Sequence, residues 1–587
     1  MLRRQHQRLL HLREQLRPRE DGIHLLLAGI VGVLGGLVNI GFYYASQIAQ
    51  QLAFGTQGEW TELAAEASPW LRLLLPLAGA FLAGCTLYWA AGVARLPDSG
   101  NFLEVVVVGD GRLHVRSALA KAFSSLLTIS TGGSIGREGP IIHLSATLAS
   151  RLGQTGRAQP YRLRLLVACG AAAGMAAAYN APVTGAVFAA QIVLGSFSMS
   201  LFAPLVFASV VATMTSRSVF GIDPIYEVPA DFQFLGMAQL PWFLLLGIAA
   251  GILGAGFLRL VRELSTWFER RIPHTIWRLT FGGLLVGLMA VSVPEIWGNG
   301  HGPTNAILLG NYPLRTLALL LLAKLAATAV TAGTGAVGGV FTPTLFLGAA
   351  LGGVFGDVLH HFHVALDQPT AAFALVGMGC TLAATTHSPL LAMIAVFEIS
   401  LNYTLMPPLM VACVVATLAS RRFHRDDIYT EPLRRRGVLR EREAVRLGLT
   451  TQQTVGDVMQ QPVPPVAPQT PFRELSNRFL SSTLNHFPVV DASRRLIGIV
   501  ALQDLKQYLG AQQDLESVIA FDVMRPPPPC LTPDQRVLDA VPILVASELR
   551  NVPVVNTLAE MQLVGTVNRP EALGLLAEAI DTGASRG

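Results

Sequence analysis

Charge is what this sequence has least of. Only 14% of its 587 residues are Asp, Glu, Lys or Arg, where soluble domains carry about a quarter. The shortage is local. Apolar runs that span a bilayer, or nearly so, recur from about Leu25 to Leu418. That excludes a wholly soluble chain. The clearest runs are Leu25–Phe42, Leu71–Ala91, Leu240–Leu258, Phe281–Val293, Leu314–Ala332 and Leu405–Leu418. Several fall short of the ~20 residues a straight crossing needs. Short runs broken by Gly and Pro predict helices that start or stop inside the membrane.

Cysteine is scarce too. Cys85, Cys169, Cys380, Cys413 and Cys530 have neither close pairing nor metal-ligand spacing, so neither a disulfide framework nor a zinc site is expected. Clusters of carboxylates or His within the apolar runs are missing, which argues against a metal-ion transporter. A nucleophile–base constellation is missing as well, so an enzyme is not expected. The opening MLRRQHQRLLHLREQLRPRED carries both signs of charge, and no small-residue cleavage site follows. It does not read as a signal peptide; residues 1–21 read as a basic cytoplasmic segment. A second basic cluster, from Arg421 to Arg436, follows the last apolar run, whereas Gly221–Phe232 at the midpoint has acids and no Lys or Arg. Positive charge at both ends predicts both termini in the cytoplasm. The net charge of +5 therefore orients the chain in lipid and does not point to nucleic acid.

Glycine and proline are plentiful, and they are ordered. GGSIGREGP, ending at Pro140, and GAVGGVFTP, ending at Pro343, each precede an apolar helix-like run. AAAYNAPVTGAVFAAQI with Pro182 and LAATTHSPLLAMIAVFEI with Pro389 follow, 42 and 46 residues on, and Gln191 and Glu398 stand nine residues past those prolines. The same order at an offset a little over 200 residues marks an internal duplication. An odd number of crossings per half would invert one half against the other, as the charges suggest. Inverted repeats hold their site near the midplane, between broken helices. Ordinary Gly-Pro turns are the alternative, but they do not explain the repeated order.

Proline favours the first helical position, so Pro140, Pro182, Pro343 and Pro389 mark helix starts. The backbone N–H groups before Pro140 and Pro343 point at a helix mouth, where the dipole adds partial positive charge. Such a mouth holds an anion weakly enough to release it, which conduction requires. The GxGxxG formed by Gly333, Gly335 and Gly338, with Asp357 beyond it, follows a leucine-rich run and not a short strand, so a dinucleotide site is rejected. Glu138 is a carboxylate beside anion-attracting amides. It can occupy the anion's place and yield it when protonated or displaced. An ion pair with Arg137 is the plainer alternative.

These residues resemble the CLC family of chloride channels and chloride/proton exchangers. GREGP stands intact at Gly136–Pro140, GGxFxP stands at Gly338–Pro343, and the likeness runs from about Leu25 to Thr430. The resemblance implies an all-helical inverted-repeat bundle with broken helices, in a homodimer with one pore per subunit. It implies Glu138 as the external gate. It implies an anion path along Gly136, Arg137, Gly139 and Gly339, with the amides of Val340 and Phe341 at a central site. Tyr429, in DDIYT, would be the pore tyrosine or else an ordinary interfacial Tyr. The first family motif is degraded to PDSGNFLE. There Ser99, beside Gly100, is a hydroxyl donor to the anion or a helix N-cap. Exchangers of this family carry a proton-relay Glu ten residues past the NAP proline. Here that position is Ile192, preceded by Gln191. Passive or gated chloride transport is therefore expected. The alternatives are a chloride/proton antiporter with a non-standard proton path, through water or Glu398, and a fluoride/proton exchanger. Ser99, where the latter would have an amide side chain, counts against fluoride. For Glu398 a structural role at a helix end is the simpler reading.

After about Thr451 the composition turns soluble. Units 453–512 and 513–582 repeat DVM, a proline-rich turn, xxPVV and hGhV, with Asp457/Asp522, Pro488/Pro553 and Gly498/Gly565 in register. They resemble a tandem pair of CBS domains, an α/β module joined by a linker over 431–452. That resemblance puts a ribose-binding acid at Asp504 and Glu571 and implies an adenine nucleotide as ligand. However, Ala501 and Asn568 replace the usual Ser/Thr three residues earlier. Support of a dimer is the alternative role. A nucleotide sensor without transport would leave both glycine-rich mouths unexplained. The expectation is thus a multi-pass protein of a bacterial inner membrane. It has an all-α transport domain over 22–430, in halves 22–220 and 236–430, and a cytoplasmic CBS pair. Its partners are chloride and the lipid bilayer.

Overall fold

The computed structural model describes residues 20–93, 102–107, 111–156, 160–195, 197, 199–222, 224–228, 237–364, 368–435, 454–482, 484–505, 515, 517–537, 539–547 and 549–569. Ser99, Gly100, Glu571 and most of the basic segment 1–21 lie outside them. The chain divides into one compact unit ending at Arg436 and a second beginning at Gly437.

The first unit is helical. Its first half holds α1 (Glu20–Phe54), α2 (Pro69–Tyr88), α3 (Val115–Ser130), α4 (Glu138–Thr155), α5 (Pro160–Tyr179), α6 (Pro182–Phe188) and α7 (Met199–Phe220). The second holds α8 (Leu240–Arg271), α9 (Thr275–Ser292), α10 (His301–Leu308), α11 (Leu314–Gly333), α12 (Phe341–His361), α13 (Thr370–Thr386), α14 (Pro389–Ser400) and α15 (Met406–Phe423), then the short α16 (Thr430–Arg435). Among the described residues, seven helices are long and apolar enough to cross a membrane. The packing repeats as the sequence does. α4 lies on α5 as α12 lies on α13, α1 lies on α7 as α8 lies on α15, and α2 joins the halves by packing along α9.

Local chemistry sets the ends. Pro182 and Pro389 stand at the first helical positions of α6 and α14, where a missing N–H costs nothing. Ser68 caps α2 by accepting the Leu71 N–H at 3.4 Å. α6 runs into a π-helical turn, Ala189–Leu194, that ends at Gly195 with φ +65°. Thr128, Thr147 and Thr385 donate to carbonyls four residues back, so these hydroxyls are satisfied without water. Gly348 and Gly377 let α12 and α13 touch backbone to backbone, and a Cβ on either would overlap the other's carbonyl oxygen. The fully buried Lys324 donates to the carbonyls of Ile296 and Gly298, both at 2.8 Å, and pins the turn before α10.

α16 continues the membrane unit past 430. Its Glu431 lies 3.7 Å from Arg262 of α8, and Arg435 pairs with Glu269 at 2.6 Å. The segment expected to open a linker is thus tied to α8 as far as 435.

The second unit is a twofold repeat. α17 (Phe472–Ser481) precedes the hairpin β1 (His486–Val490) and β2 (Leu496–Ala501); α18 (Val541–Ala546) precedes β3 (Asn551–Val555) and β4 (Leu563–Asn568). Both hairpins are antiparallel, pairing Phe487 with Val500 and Val552 with Val567, and both bulge at the same point. Each repeat's lead-in pairs with the other's sheet: Gln460 bridges Thr566, and Arg525 bridges Ile499. The repeated Asp457 and Asp522 each accept the N–H three residues earlier, at 2.9 and 3.0 Å, which closes the first turn after Thr454 and Ile519.

Candidate functional site: two helix mouths joined through glycine

The two glycine-rich loops meet. Gly136 and Gly339 exchange both backbone hydrogen bonds, N–H to O at 2.7 and 2.8 Å, and form a one-residue antiparallel bridge between the halves. Gly139 packs on the backbone of Gly338, where an added Cβ would come 2.7 Å from the carbonyl carbon. Gly132, at φ +98°, lies against the face of Trp297, and a side chain there would strike the indole. The glycines therefore serve close approach: they seat the starts of α4 and α12 against each other.

Glu138 is the first residue of α4 and is 3% exposed. Its carboxylate turns across to the mouth of α12. One oxygen accepts the Thr342 N–H at 3.1 Å, and the other accepts the Thr342 hydroxyl at 3.3 Å. The Phe341 N–H is beside it. Val340 is the residue before the first turn of α12. The carboxylate thus fills the place an anion would take at a helix N-terminus, where aligned N–H groups supply partial positive charge. Side chains on Gly136 or Gly339 would collide with it. Arg137 faces elsewhere, its guanidinium 5.7 Å above the Tyr43 ring. Glu138 is held by Thr342, and the Glu138–Arg137 ion pair does not form.

Tyr179 was not singled out in the sequence, yet it belongs here. Its hydroxyl lies 2.6 Å from the Thr342 hydroxyl, and its ring is 4.8 Å from that of Phe341. Thr342 also went unnoticed. It is the residue after the amides read as the anion site, and only the fold shows which amide faces Glu138. Tyr429 brings its ring to Phe188 of α6, at 5.6 Å. The phenols of Tyr179 and Tyr429 are within electrostatic reach of Glu138.

The second pair of prolines forms a reciprocal contact. Glu398, at the end of α14, caps α6: it accepts the N–H groups of Val183 at 2.9 Å and Thr184 at 2.6 Å, and the Thr184 hydroxyl at 2.6 Å. Gln191, after α6, accepts the hydroxyl of Ser388 at the start of α14, at 2.5 Å. The two residues nine past each proline thus each reach the start of the other's helix, Glu398 as a cap on the α6 backbone and Gln191 through the Ser388 hydroxyl, and the carboxylate of Glu398 is committed to that cap. Ile192 lies in the π-helical turn.

In the second unit, Asp504 is 5% exposed, accepts the Ala501 N–H at 3.1 Å and forms an ion pair with Arg525. The acid expected to meet a ribose is therefore engaged by a guanidinium.

Repeated halves, helices of bilayer length and two helix mouths joined through Gly136 and Gly339 define the class as a membrane transport protein. Comparison with known proteins gives it a family. Residues 79–421 match the voltage-gated chloride channel family, and residues 455–511 and 519–578 match the CBS domain. A ClcB-like protein of Ralstonia nicotianae is 42% identical over 420 residues, covering 70% of this chain and 96% of its own length. The voltage-gated ClC-type chloride channel ClcB of Escherichia coli is 36% identical over 411 residues, covering 69% of this chain and 98% of its own. Among solved structures, a slow cyanobacterial Cl−/H+ antiporter aligns with a TM-score of 0.62 at 26% identity, over 71% of this chain and 99% of that one. A eukaryotic CLC transporter shares the fold over 93% of this chain, with a TM-score of 0.60 at 18% identity. The chain belongs to the CLC chloride-transport family and carries a C-terminal CBS pair.

Proposed function

We propose that this protein passes chloride across the membrane and that Glu138 gates the path by competing with the ion. The observation that carries this reading is the Glu138 carboxylate on the Thr342 N–H, in the seat an anion would use. Protonation removes its charge and weakens its hold, and the helix mouth is then free for chloride. Replacing Glu138 by Gln mimics the protonated form. Purified Glu138→Gln in liposomes is expected to conduct more chloride than the wild type at pH 7.5 and to gain less than the wild type does on acidification. Unchanged pH dependence in the variant would sink the gate.

A second reading, chloride/proton exchange, is favoured by one fact: the antiporter that aligns at 26% identity. Against it stands the lack of a carboxylate at Ile192 and the commitment of Glu398 to a helix cap. Recording chloride and proton movement together separates the two. Proton uptake against its gradient, driven by chloride, means exchange; chloride flux alone means a channel.

The basic clusters at both ends favour cytoplasmic termini in a bacterial inner membrane, and the family favours a homodimer with one pore per subunit. For the CBS pair, we infer a supporting role. An adenine nucleotide would have to displace Arg525 from Asp504, so Arg525→Ala is expected to raise affinity for such a nucleotide, measured by calorimetry.

A further inference from the structure

A polar cavity of about 480 Å³ opens beside the gate, walled by Tyr43, Gln50, Glu59, Arg137, Asn299 and His301. Arg137 places it one residue from Glu138. Glu59, between α1 and the short helix Trp60–Glu66, and His301, the first residue of α10, face each other across it. Nδ1 of the imidazole lies 3.6 Å from a Glu59 oxygen.

The other ring nitrogen fixes the chemistry. His301 Nε2 is 2.8 Å from the carbonyl oxygen of Ile225. A carbonyl only accepts, so Nε2 must carry a hydrogen. In the neutral ring, Nδ1 is then a bare lone pair aimed at a carboxylate, and two acceptors face each other. One proton turns that mismatch into an ion pair. The ring also stacks on Tyr226, with centroids 5.1 Å apart and planes at 27°, and an aromatic face favours a cation. Tyr226 is 1% exposed, and its hydroxyl has no hydrogen-bond partner among the described residues. The charged and titratable groups facing the pair are therefore Arg137, Tyr226 and, under Arg137, Tyr43. His301 holds the Glu59 carboxyl below its usual range; partial burial opposes this, and Arg137 adds to it.

We propose that Glu59 and His301 form a second proton-binding site, separate from Glu138, that charges the cavity positively in mild acid and so draws anions to the gate. Without the proton, Glu59 cancels Arg137. With it, the cavity holds one net positive charge, and a polar cleft of one sign concentrates the opposite ion. The cavity's service to an anion rests on the transport reading above; the proton site does not.

The test uses full-length protein with the gate already neutralised, at equal pH inside and out. Chloride flux through Glu138→Gln should rise severalfold between pH 7.5 and 5.5. Adding His301→Gln, which keeps a donor for Ile225, or Glu59→Gln should abolish the rise. Independently of flux, thermal midpoints of Glu59→Gln, His301→Gln and the double variant should show coupling of a few degrees at pH 5.5 and none at 7.5. An acid response that survives both substitutions would overturn the proposal. So would coupling that is absent, or equal at both pH values. Coupling with a flat Glu138→Gln flux would make the pair a structural clasp only. If no variant passes chloride, the transport reading fails, anion recruitment fails with it, and the cycle alone decides the proton site.

Discussion

Thr342 joins three groups: its N–H and hydroxyl hold Glu138, and the same hydroxyl meets Tyr179. Thr342→Val keeps the shape and the N–H but deletes the hydroxyl. It leaves Tyr179 unpartnered in a buried place, which costs about 1–3 kcal/mol. The expected result is a lower thermal midpoint and a gate that releases more easily, read as higher chloride flux at neutral pH. Flux unchanged from wild type would mean that the hydroxyl does not restrain Glu138. At this scale the sequence was legible in part. Glu138 stood out because an ionisable residue in an apolar setting needs a reason. Thr342 and Tyr179 did not, because each acts through a contact more than 160 residues away in the chain, and nothing local marks it. Ser99, Gly100 and Glu571 lie outside the described residues.

At the scale of elements, repeated proline and glycine announced helix starts: the structure begins α6 and α14 at Pro182 and Pro389, while α4 and α12 begin two residues before Pro140 and Pro343, at Glu138 and Phe341. What punctuation could not say is which mouth meets which. The Gly136–Gly339 bridge, the Glu398 cap on α6 and the Gln191–Ser388 contact are pairings between halves, and only folding makes them. Two predictions belong here. Glu398→Ala removes a charged cap from α6 and should destabilise by about 1–2 kcal/mol, with Glu398→Gln retaining part of it. Neither should change the stoichiometry of ion movement. A change in proton movement without a change in stability would make Glu398 a relay instead. Gly348→Ala forces a methyl against Gly377 at the α12–α13 crossing. Overpacking of this kind costs about 1–3 kcal/mol, and because α12 carries the mouth that holds Glu138, flux should fall along with the thermal midpoint.

Across the whole molecule, each compact unit is stabilised by its own means. The membrane unit relies on close helix packing, with hydroxyls such as those of Thr128, Thr147 and Thr385 bonded to carbonyls of their own helices. The CBS pair relies on two small apolar cores, one around Phe472, Phe487 and Val500, the other around Leu531, Val552 and Val567. Burial keeps His486 below its usual imidazole range, with the Asn551 carbonyl opposing in part. The unfolded chain therefore binds a proton there that the folded module refuses. Stability is complete above the unfolded value of about 6.5 and declines as pH falls below it. Hydrogen-exchange protection of β1 and β2, corrected for intrinsic rate, should drop between pH 7.5 and 5.5, and His486→Gln should remove the drop. The duplication of both units was visible in the sequence because each repeats its turn residues in order. The engagement of Asp504 by Arg525 was not, since Arg525 reads as an ordinary charge before a proline run.

The central claim is that Glu138 occupies an anion's seat at the mouth of α12. Bromide is the most direct probe: crystals of wild type and Glu138→Gln, grown in bromide, can be compared by anomalous scattering. The account predicts a peak within hydrogen-bonding distance of the Thr342 N–H in the variant, and none there in wild type while Glu138 keeps its present place. A variant with no peak at Thr342, or a wild type with bromide there beside an unmoved Glu138, would contradict it.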